Sequence, residues 1–324
     1  MNKKLFFTLV GIFVIFYTLA YTTYYFKIEK DQDNIPVEGQ ANEFISREIE
    51  NYDEIITTLQ NKNYTTEEIN KILGYLSDTN LNKLVKLDYY DLSNYYKISN
   101  LNVDLIDRYN SYKTLNPDLS YSDVVTKVNL NLDQEFYSTF TKIENPDDIT
   151  VLVNKFHKLD ENYEPSDLVS LSYSSAYKMR KPAAEAFDAL QAFALTQNIS
   201  IYPYSAYRSY ETQNTIYNRY VVQNGQSEAD RFSAKPGYSE HQTGLAIDIK
   251  STGYYELIDK HYDWLKENSY KYGFIIRYTK DNEPITGYQE EPWHLRYIGV
   301  EHATKVHELN ITYDEYYDLY LTEH

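Results

Sequence analysis

From Leu5 to Phe26 the chain runs 22 residues without a charge. At about 1.5 Å per residue, a helix of that length spans roughly the 30 Å hydrocarbon core of a bilayer. Lys3, Lys4 and the α-amino group precede it, which favours a cytosolic N-terminus with everything after Phe26 exported, a bias reduced by Lys27 and Lys30. The pattern predicts a single-pass anchor. The alternative is a cleaved signal peptide, with Leu5 to Tyr17 as its apolar stretch and Thr18-Leu19-Ala20 as the cleavage site. Lys27 to Asn42 loses apolar periodicity, carries Pro36 and Gly39, and reads as a tether. Residues 43–150 alternate short apolar-periodic segments with Asn, Asp and Pro breaks, such as Glu67 to Leu76 after Thr65-Thr66, and Leu105 to Tyr112. They predict a mainly helical module without a fixed repeat.

The texture changes at about Val151. Pro182 opens a helix whose Ala183, Ala184, Phe187, Leu190, Phe193 and Ala194 form a broad apolar stripe, proline being well placed in a first turn. Ile199 to Tyr204 reads as a strand, and Ser209 caps a helix reaching about Val222, stopped by Gln223-Asn224-Gly225. Leu245, Ile247 and Ile249 alternate with Ala246 and Asp248, which predicts a strand with one packed face and one face carrying an acid. Tyr254 to Asn268 reads as helix, Phe274 to Arg277 and Trp293 to Tyr297 as short strands, and Val300 to Leu309 as a closing helix. Helices interspersed with short strands and no βαβ regularity predict an α+β fold, a small antiparallel sheet flanked by helices. The expected organisation is stub and anchor 1–26, linker 27–42, helical module 43–150 and a chemical domain 151–315.

Composition removes several function classes. Among 324 residues, 48 are acidic and 31 basic, and the net charge of −17 repels a phosphate backbone, so nucleic acid is not an expected partner. With no cysteine there is no thiol nucleophile, disulfide or thiolate metal site, and any metal must rest on histidine and carboxylate. The 37 tyrosines make Tyr89-Tyr90 and Tyr95-Tyr96 a compositional bias rather than a ligand-stacking surface. The sequence does not specify an oligomeric state.

The chemistry concentrates in two segments. Ser239-Glu240-His241-Gln242-Thr243-Gly244-Leu245-Ala246-Ile247-Asp248 places a histidine at the end of a loop and a carboxylate seven residues on, projecting from a strand. Both suit zinc. The third ligand is His294 in Glu291-Pro292-Trp293-His294-Leu295-Arg296-Tyr297, where Trp293, Leu295 and Tyr297 can face the core while His294 and Arg296 point away. Two histidines and one carboxylate leave a coordination position open, the arrangement of a catalytic rather than a structural site. Glu291, three residues before His294 and turned by Pro292, is the natural general base. On spacing alone, a polar residue satisfied within the fold competes with each assignment.

The two segments together resemble the VanY-type D-alanyl-D-alanine carboxypeptidases of the M15 zinc peptidases: SEHQTGLAID matches S-x-H-x-x-G-x-A-x-D, and EPWHLRY matches E-x-W-H. The likeness extends through Ser205-Ala206-Tyr207-Arg208-Ser209 with Gln213, and through Leu152-Val153-Asn154-Lys155 to Pro165-Leu168, covering about 151–310. It implies that His241, Asp248 and His294 hold zinc and that Glu291 is the catalytic base. It also implies that Arg208 binds the substrate, and Ser239 and Gln213 line the site. A terminal carboxylate suits arginine's planar fork, which can also polarise the scissile carbonyl. The implied partner is the peptidoglycan stem peptide, and the expected protein a membrane-anchored extracytoplasmic zinc D,D-carboxypeptidase. The alternatives are an L,D-carboxypeptidase, a peptidoglycan endopeptidase, or an inactive wall-binding protein. His157, His261, His302, His307 and His324 fit no ligand pattern. After His307-Glu308 the position a second histidine would need holds Ile311, so H-E-x-x-H is absent.

Overall fold

The computed structural model describes residues 44, 48, 51–84, 92–250 and 258–322. The anchor, the tether and Tyr89-Tyr90 lie outside these residues, as does His324. Among the described residues no helix is long and apolar enough to cross a membrane. The chain divides into two compact units at Asp104/Leu105.

The first unit contains helices α1 (Tyr52–Asn61), α2 (Thr66–Tyr75) and α3 (Asp78–Leu84). Thr65 and Glu68 form a reciprocal capping box at the start of α2, satisfying amides that the first turn leaves without partners. Ile55, Leu59, Ile69, Ile72, Leu73, Leu81 and Leu84 are its buried apolar positions. Asn80 ties the returning chain by donating to the Leu101 carbonyl at 2.7 Å and accepting from the Val103 amide at 3.1 Å.

The second unit begins with α4 (Ile106–Leu115) and α5 (Tyr121–Asn129), then β1 (Thr141–Lys142), β2 (His157–Lys158) and the hairpin strands β3 (Leu168–Leu171) and β4 (Ser174–Arg180). Helix α6 (Lys181–Thr196) follows, with Pro182 in its first turn and Ala183, Ala184, Phe187, Leu190 and Ala194 buried. Next come β5 (Tyr202–Ser205), α7 (Tyr210–Asn224), α8 (Gln226–Phe232), β6 (Ala246–Lys250) and α9 (Ile258–Asn268). The chain closes with β7 (Phe274–Tyr278), α10 (Glu283–Thr286), β8 (Glu291–Tyr297), α11 (Val300–Leu309) and α12 (Tyr313–Tyr320). Ser209 caps α7 by accepting from the Thr212 amide, and Gly225, at φ 82°, terminates it. The sequence does not predict the hairpin β3–β4; its alternation is interrupted by the Ser172-Tyr173 turn and by the serines that open β4.

The organising sheet is four-stranded and antiparallel in the order β5-β6-β8-β7, within a mixed α+β fold. Leu245, Ile247, Leu295 and Phe274 pack with Phe187 and Leu190 of α6 in one core cluster. Burying each such side chain contributes about 1.5–3 kcal/mol. The opposite face carries Asp248, His294 and Arg296, and it is buried too: Arg296 is fully inaccessible. Arg296 points away from the apolar core, opposite Leu295, Trp293 and Tyr297, but it is not solvated. It leaves the apolar layer but enters a second, charged interior covered by Val151, by α12 and by the loop at Glu240.

Gly244 connects the short turn at Glu240–Thr243 to β6 with φ 67°, and its carbonyl accepts from the Arg180 amide at 2.9 Å. A Cβ there would lie 2.8 Å from Leu168 Cδ2 and 3.1 Å from Arg180 Cγ. Left-handed strain and overpacking act together, so Gly244→Ala should lower stability by about 2–4 kcal/mol. A urea unfolding midpoint within error of the wild type would contradict this.

Candidate metal centre and active site

Strand register builds the site. Asp248 on β6 is the direct partner of His294 on β8 and of Ser205 on β5, so these three lie in one row across the sheet. His241 comes from the preceding turn, capped by Ser239, whose hydroxyl accepts from the His241 amide at 3.4 Å. Glu291 and His294 are three apart, and a regular strand would place them on opposite faces. Between Ile276 and Tyr278 the β7 strand advances two residues while β8 advances from Leu295 to Glu291, so β8 bulges. That bulge, rather than Pro292 alone, brings both side chains to one cavity, a common use of bulges near active sites.

One ligand atom from each of His241, Asp248 and His294 lies within 4.8 Å of the others. His241 Nδ1 bonds the Ala206 carbonyl at 2.7 Å, fixing the tautomer in which Nε2 is the free donor atom. That Nε2 is buried, sits 3.2 Å from Asp248 Oδ2, and has no hydrogen-bond partner. His294 is fixed in the other sense. Its Nε2 bonds Glu240 Oε2 at 3.1 Å, and its Nδ1 faces Asp248 Oδ1 at 3.0 Å. A buried lone pair without a partner, a second nitrogen and a carboxylate converging on one point fit zinc, with one position left for a reactant.

Burial and close charges shift every titratable group of the cluster. Burial pushes His241 down to about 4, the charge of Arg208 adding to that effect while Asp248 opposes it. Burial also acts to lower His294, but its bonds to Asp248 and Glu240 overcome this and hold it at about 9. For Asp248 the cost of burial is exceeded by the attraction of His241 and His294, so it remains well below the usual carboxylate range. Burial raises Glu291 to about 8; Asp248 and Glu240 add to this and His294 and Arg208 oppose it. A carboxyl poised there can take and return a proton near neutrality.

Glu240 escaped the sequence reading, although it lies between Ser239 and His241. Its Oε1 accepts from Arg277 Nε at 2.9 Å and Arg296 Nη1 at 3.1 Å, while Oε2 holds His294. Any signal was limited to its place inside the motif, since both arginines are distant in sequence. Arg208 Nη1 reaches Ser205 Oγ at 2.9 Å and Asp248 Oδ2 at 3.4 Å. Arg208, Ser239, Glu291, His241, Asp248 and His294 all line one cavity of about 620 Å³, joined by Trp293, Tyr278 and Tyr288. Gln213 stands behind its wall: Nε2 donates to the Ala234 carbonyl at 2.7 Å, and Ala234 lines the cavity. Of the remaining histidines, His157 bonds Asn154 Oδ1 at 3.0 Å, His302 bonds Tyr316 at 3.0 Å, and His307 stacks on Tyr270. None of these three joins the cluster.

A buried His-Asp-His cluster beside a carboxyl and an arginine, on an antiparallel sheet, defines a metallohydrolase. The family model of VanY, D-alanyl-D-alanine carboxypeptidase, matches residues 176–300. A Bacillus subtilis protein named as a carboxypeptidase, YodJ, is 39% identical over 207 residues, spanning 58% of this chain and 76% of that one. Among solved structures, the LdcB LD-carboxypeptidase is 40% identical, covers 55% of this chain and 90% of that one, and superposes with a TM-score of 0.51. A vancomycin-resistance D,D-pentapeptidase, VanY, in complex with Zn(II) is 34% identical, with 52% and 97% covered and a TM-score of 0.48. The chain belongs to the VanY-type D-alanyl-D-alanine carboxypeptidase family. It is a zinc metallopeptidase of cell-wall metabolism.

His241→Ala should therefore lose most of the zinc measured by metal analysis of the purified protein. Glu240→Gln should weaken zinc about 10- to 100-fold, the scale at which groups orienting a ligand act. Full zinc retention by His241→Ala would remove it from the ligand set.

Proposed function

We propose that this chain is a membrane-anchored, extracytoplasmic zinc carboxypeptidase that removes the C-terminal D-alanine from peptidoglycan stem peptides. The observation that carries the reading is Arg208. Its guanidinium lines the cavity beside Asp248, and its Nε is buried without a partner. A chain end differs from a chain middle by its free carboxylate, and a partly desolvated arginine is the group that recognises one.

In this reading His241, Asp248 and His294 hold zinc, which when bound supplies Lewis acidity to the scissile carbonyl. Glu291 takes a proton from the attacking water and delivers it to the leaving amine. Arg208 pairs with the terminal carboxylate and is near enough to Asp248 to be oriented by it. Ser239 shapes the wall and fixes the His241 backbone, and Gln213 supports the wall through Ala234. A second reading, removal of D-alanine from an L-centre, is favoured by the likeness to the LD-carboxypeptidase.

Glu291→Gln should keep zinc but lose roughly a hundredfold or more in turnover, the scale of general-base catalysis; near-normal turnover would move the base elsewhere. Stem peptides ending in free D-alanine should be cleaved roughly 30- to 150-fold faster than C-terminally amidated ones, reflecting about 2–3 kcal/mol for a charge-assisted bond. The preference should shrink in Arg208→Ala. Equal cleavage of both would replace the exopeptidase by an endopeptidase. Running the pentapeptide and tetrapeptide side by side separates D,D from L,D specificity.

The uncharged stretch Leu5 to Phe26 behind Lys3 and Lys4 supports the anchor. Fractionation of cells should leave the protein in the membrane pellet with its N-terminus at or near Met1. A soluble protein starting at Tyr21 would establish the signal-peptide alternative.

A further inference from the structure

The charged interior behind the site does not end at Glu240. Arg277 divides its fork: Nε serves Glu240 at 2.9 Å, and Nη1 serves Asp314 Oδ2 at 2.7 Å. Asp314 Oδ1 in turn accepts from Asn154 Nδ2 at 2.8 Å. The side chains of Glu240, Arg277 and Arg296 are fully inaccessible, and Asp314 is 2% exposed. Asp314 belongs to α12, beyond the residues that the family model matches.

We propose that Asp314 is a positioning residue for the metal centre, acting through Arg277 and Glu240 on His294. This rests on the assignment of His294 as a zinc ligand. The charges of the four groups balance, two guanidinium ions against two carboxylates. With Asp314 neutralised, Arg277 and Arg296 both depend on Glu240. Arg277 Nη2 is already buried without a partner, so Nη1 would join it unless the guanidinium turned toward Glu240. Such a turn draws the carboxylate away from His294 Nε2. The ring then loses the bond that directs Nδ1 toward Asp248 and makes it a strong donor, as ligating histidines require of their second nitrogen. An asparagine at 314 adds a further conflict. Its amide NH2 would face either Arg277 or the Asn154 NH2, and Asn154 cannot turn over because its Oδ1 already accepts from the Phe156 and His157 amides, both at 2.9 Å.

A purely structural role for Asp314, pinning α12 to the domain, makes a different prediction, and Thr312 separates the two. Thr312 forms a capping box with Glu315 at the start of α12, its side chain bonding to Glu315 rather than to a member of the ion cluster. Full-length Asp314→Asn, Arg277→Lys and Thr312→Ala would be compared by zinc competition against a chromophoric chelator. The visible spectrum of the cobalt(II)-loaded protein and thermal unfolding complete the comparison. Asp314→Asn should weaken zinc about tenfold, the lower end for groups orienting a ligand, and shift the cobalt bands. Arg277→Lys, which cannot serve both carboxylates with one fork, should do the same and stands in if Asp314→Asn fails to fold. Thr312→Ala should lower the unfolding temperature while leaving zinc affinity and cobalt bands unchanged. Wild-type affinity and bands in Asp314→Asn or Arg277→Lys, or an equal loss of zinc in Thr312→Ala, would overturn the proposal. A wild-type chain that binds no zinc would instead remove the metal assignment beneath it.

Discussion

The Glu240 carboxylate is the point on which the site and the fold both depend. It is fully buried, and it is shared by two arginines and a histidine drawn from β7 and β8. Moving a carboxylate and two guanidinium ions out of water costs several kcal/mol each before pairing. Burial alone would raise the Glu240 pKa, yet the charges of Arg277 and Arg296 overcome it and hold the group ionised. Such a cluster adds little net stability over an apolar core of the same shape. Removing one member is another matter, because the remaining charge is left buried, typically at about 3–5 kcal/mol. What the arrangement secures is orientation: Arg296 also donates to the Val151 and Ile149 carbonyls at 2.7 and 3.1 Å, locking the segment that covers the sheet.

Strand register is the second constraint. The pairing of Asp248 with His294 is a contact between β6 and β8, and a slip of one residue would turn every side chain on one strand to the other face. Leu245, Ile247 and Leu295 in the apolar cluster prevent that slip, since a shifted strand would bury Asp248 or Arg296 among them. The hydrophobic layer on one face thus fixes the ligand geometry on the other. The register shifts between Pro203 and Ser205 on β5 and again at the β8 bulge, and the bulge is where Glu291 enters the cavity.

What was legible in the sequence follows from the range of each interaction. His241, in the turn before β6, and Asp248 on that strand lie seven residues apart, Glu291 and His294 three apart, and short spacings of chemically distinctive residues can be read directly. The helix of Pro182, the Ser209 cap and the alternation of 245–249 were legible for the same reason: each is decided within a few residues. The partners of Glu240 lie 37 and 56 positions away, and Asp314 lies 37 beyond Arg277. Nothing local marks Arg296 as buried, because an arginine beside an apolar residue on a strand usually faces water. The same limit hid the placement of Gln213, which the resemblance put on the cavity lining but whose bond to Ala234, 21 positions away, sets it behind the wall, and the hairpin β3–β4, whose polar turn masks its alternation.

The cavity also resolves a conflict between the charge of the whole chain and that of its substrate. A net charge of −17 repels a peptide ending in a carboxylate. Arg208, Arg219 and Lys250 line the cavity together with Asp248, Glu291 and Glu240, and Glu240 is already neutralised from behind by Arg277 and Arg296. Three cations therefore share the cavity with Asp248, which Arg208 approaches at 3.4 Å, and with Glu291, which burial holds largely protonated near neutrality. A divalent ion held by His241, Asp248 and His294 adds two further positive charges. The cleft is then locally positive inside an acidic surface, and low-dielectric walls concentrate that field at the site. Because interactions beyond roughly 8 Å are screened at physiological salt, the distant acidic surface contributes little once the peptide enters, and the nearby cations decide its orientation.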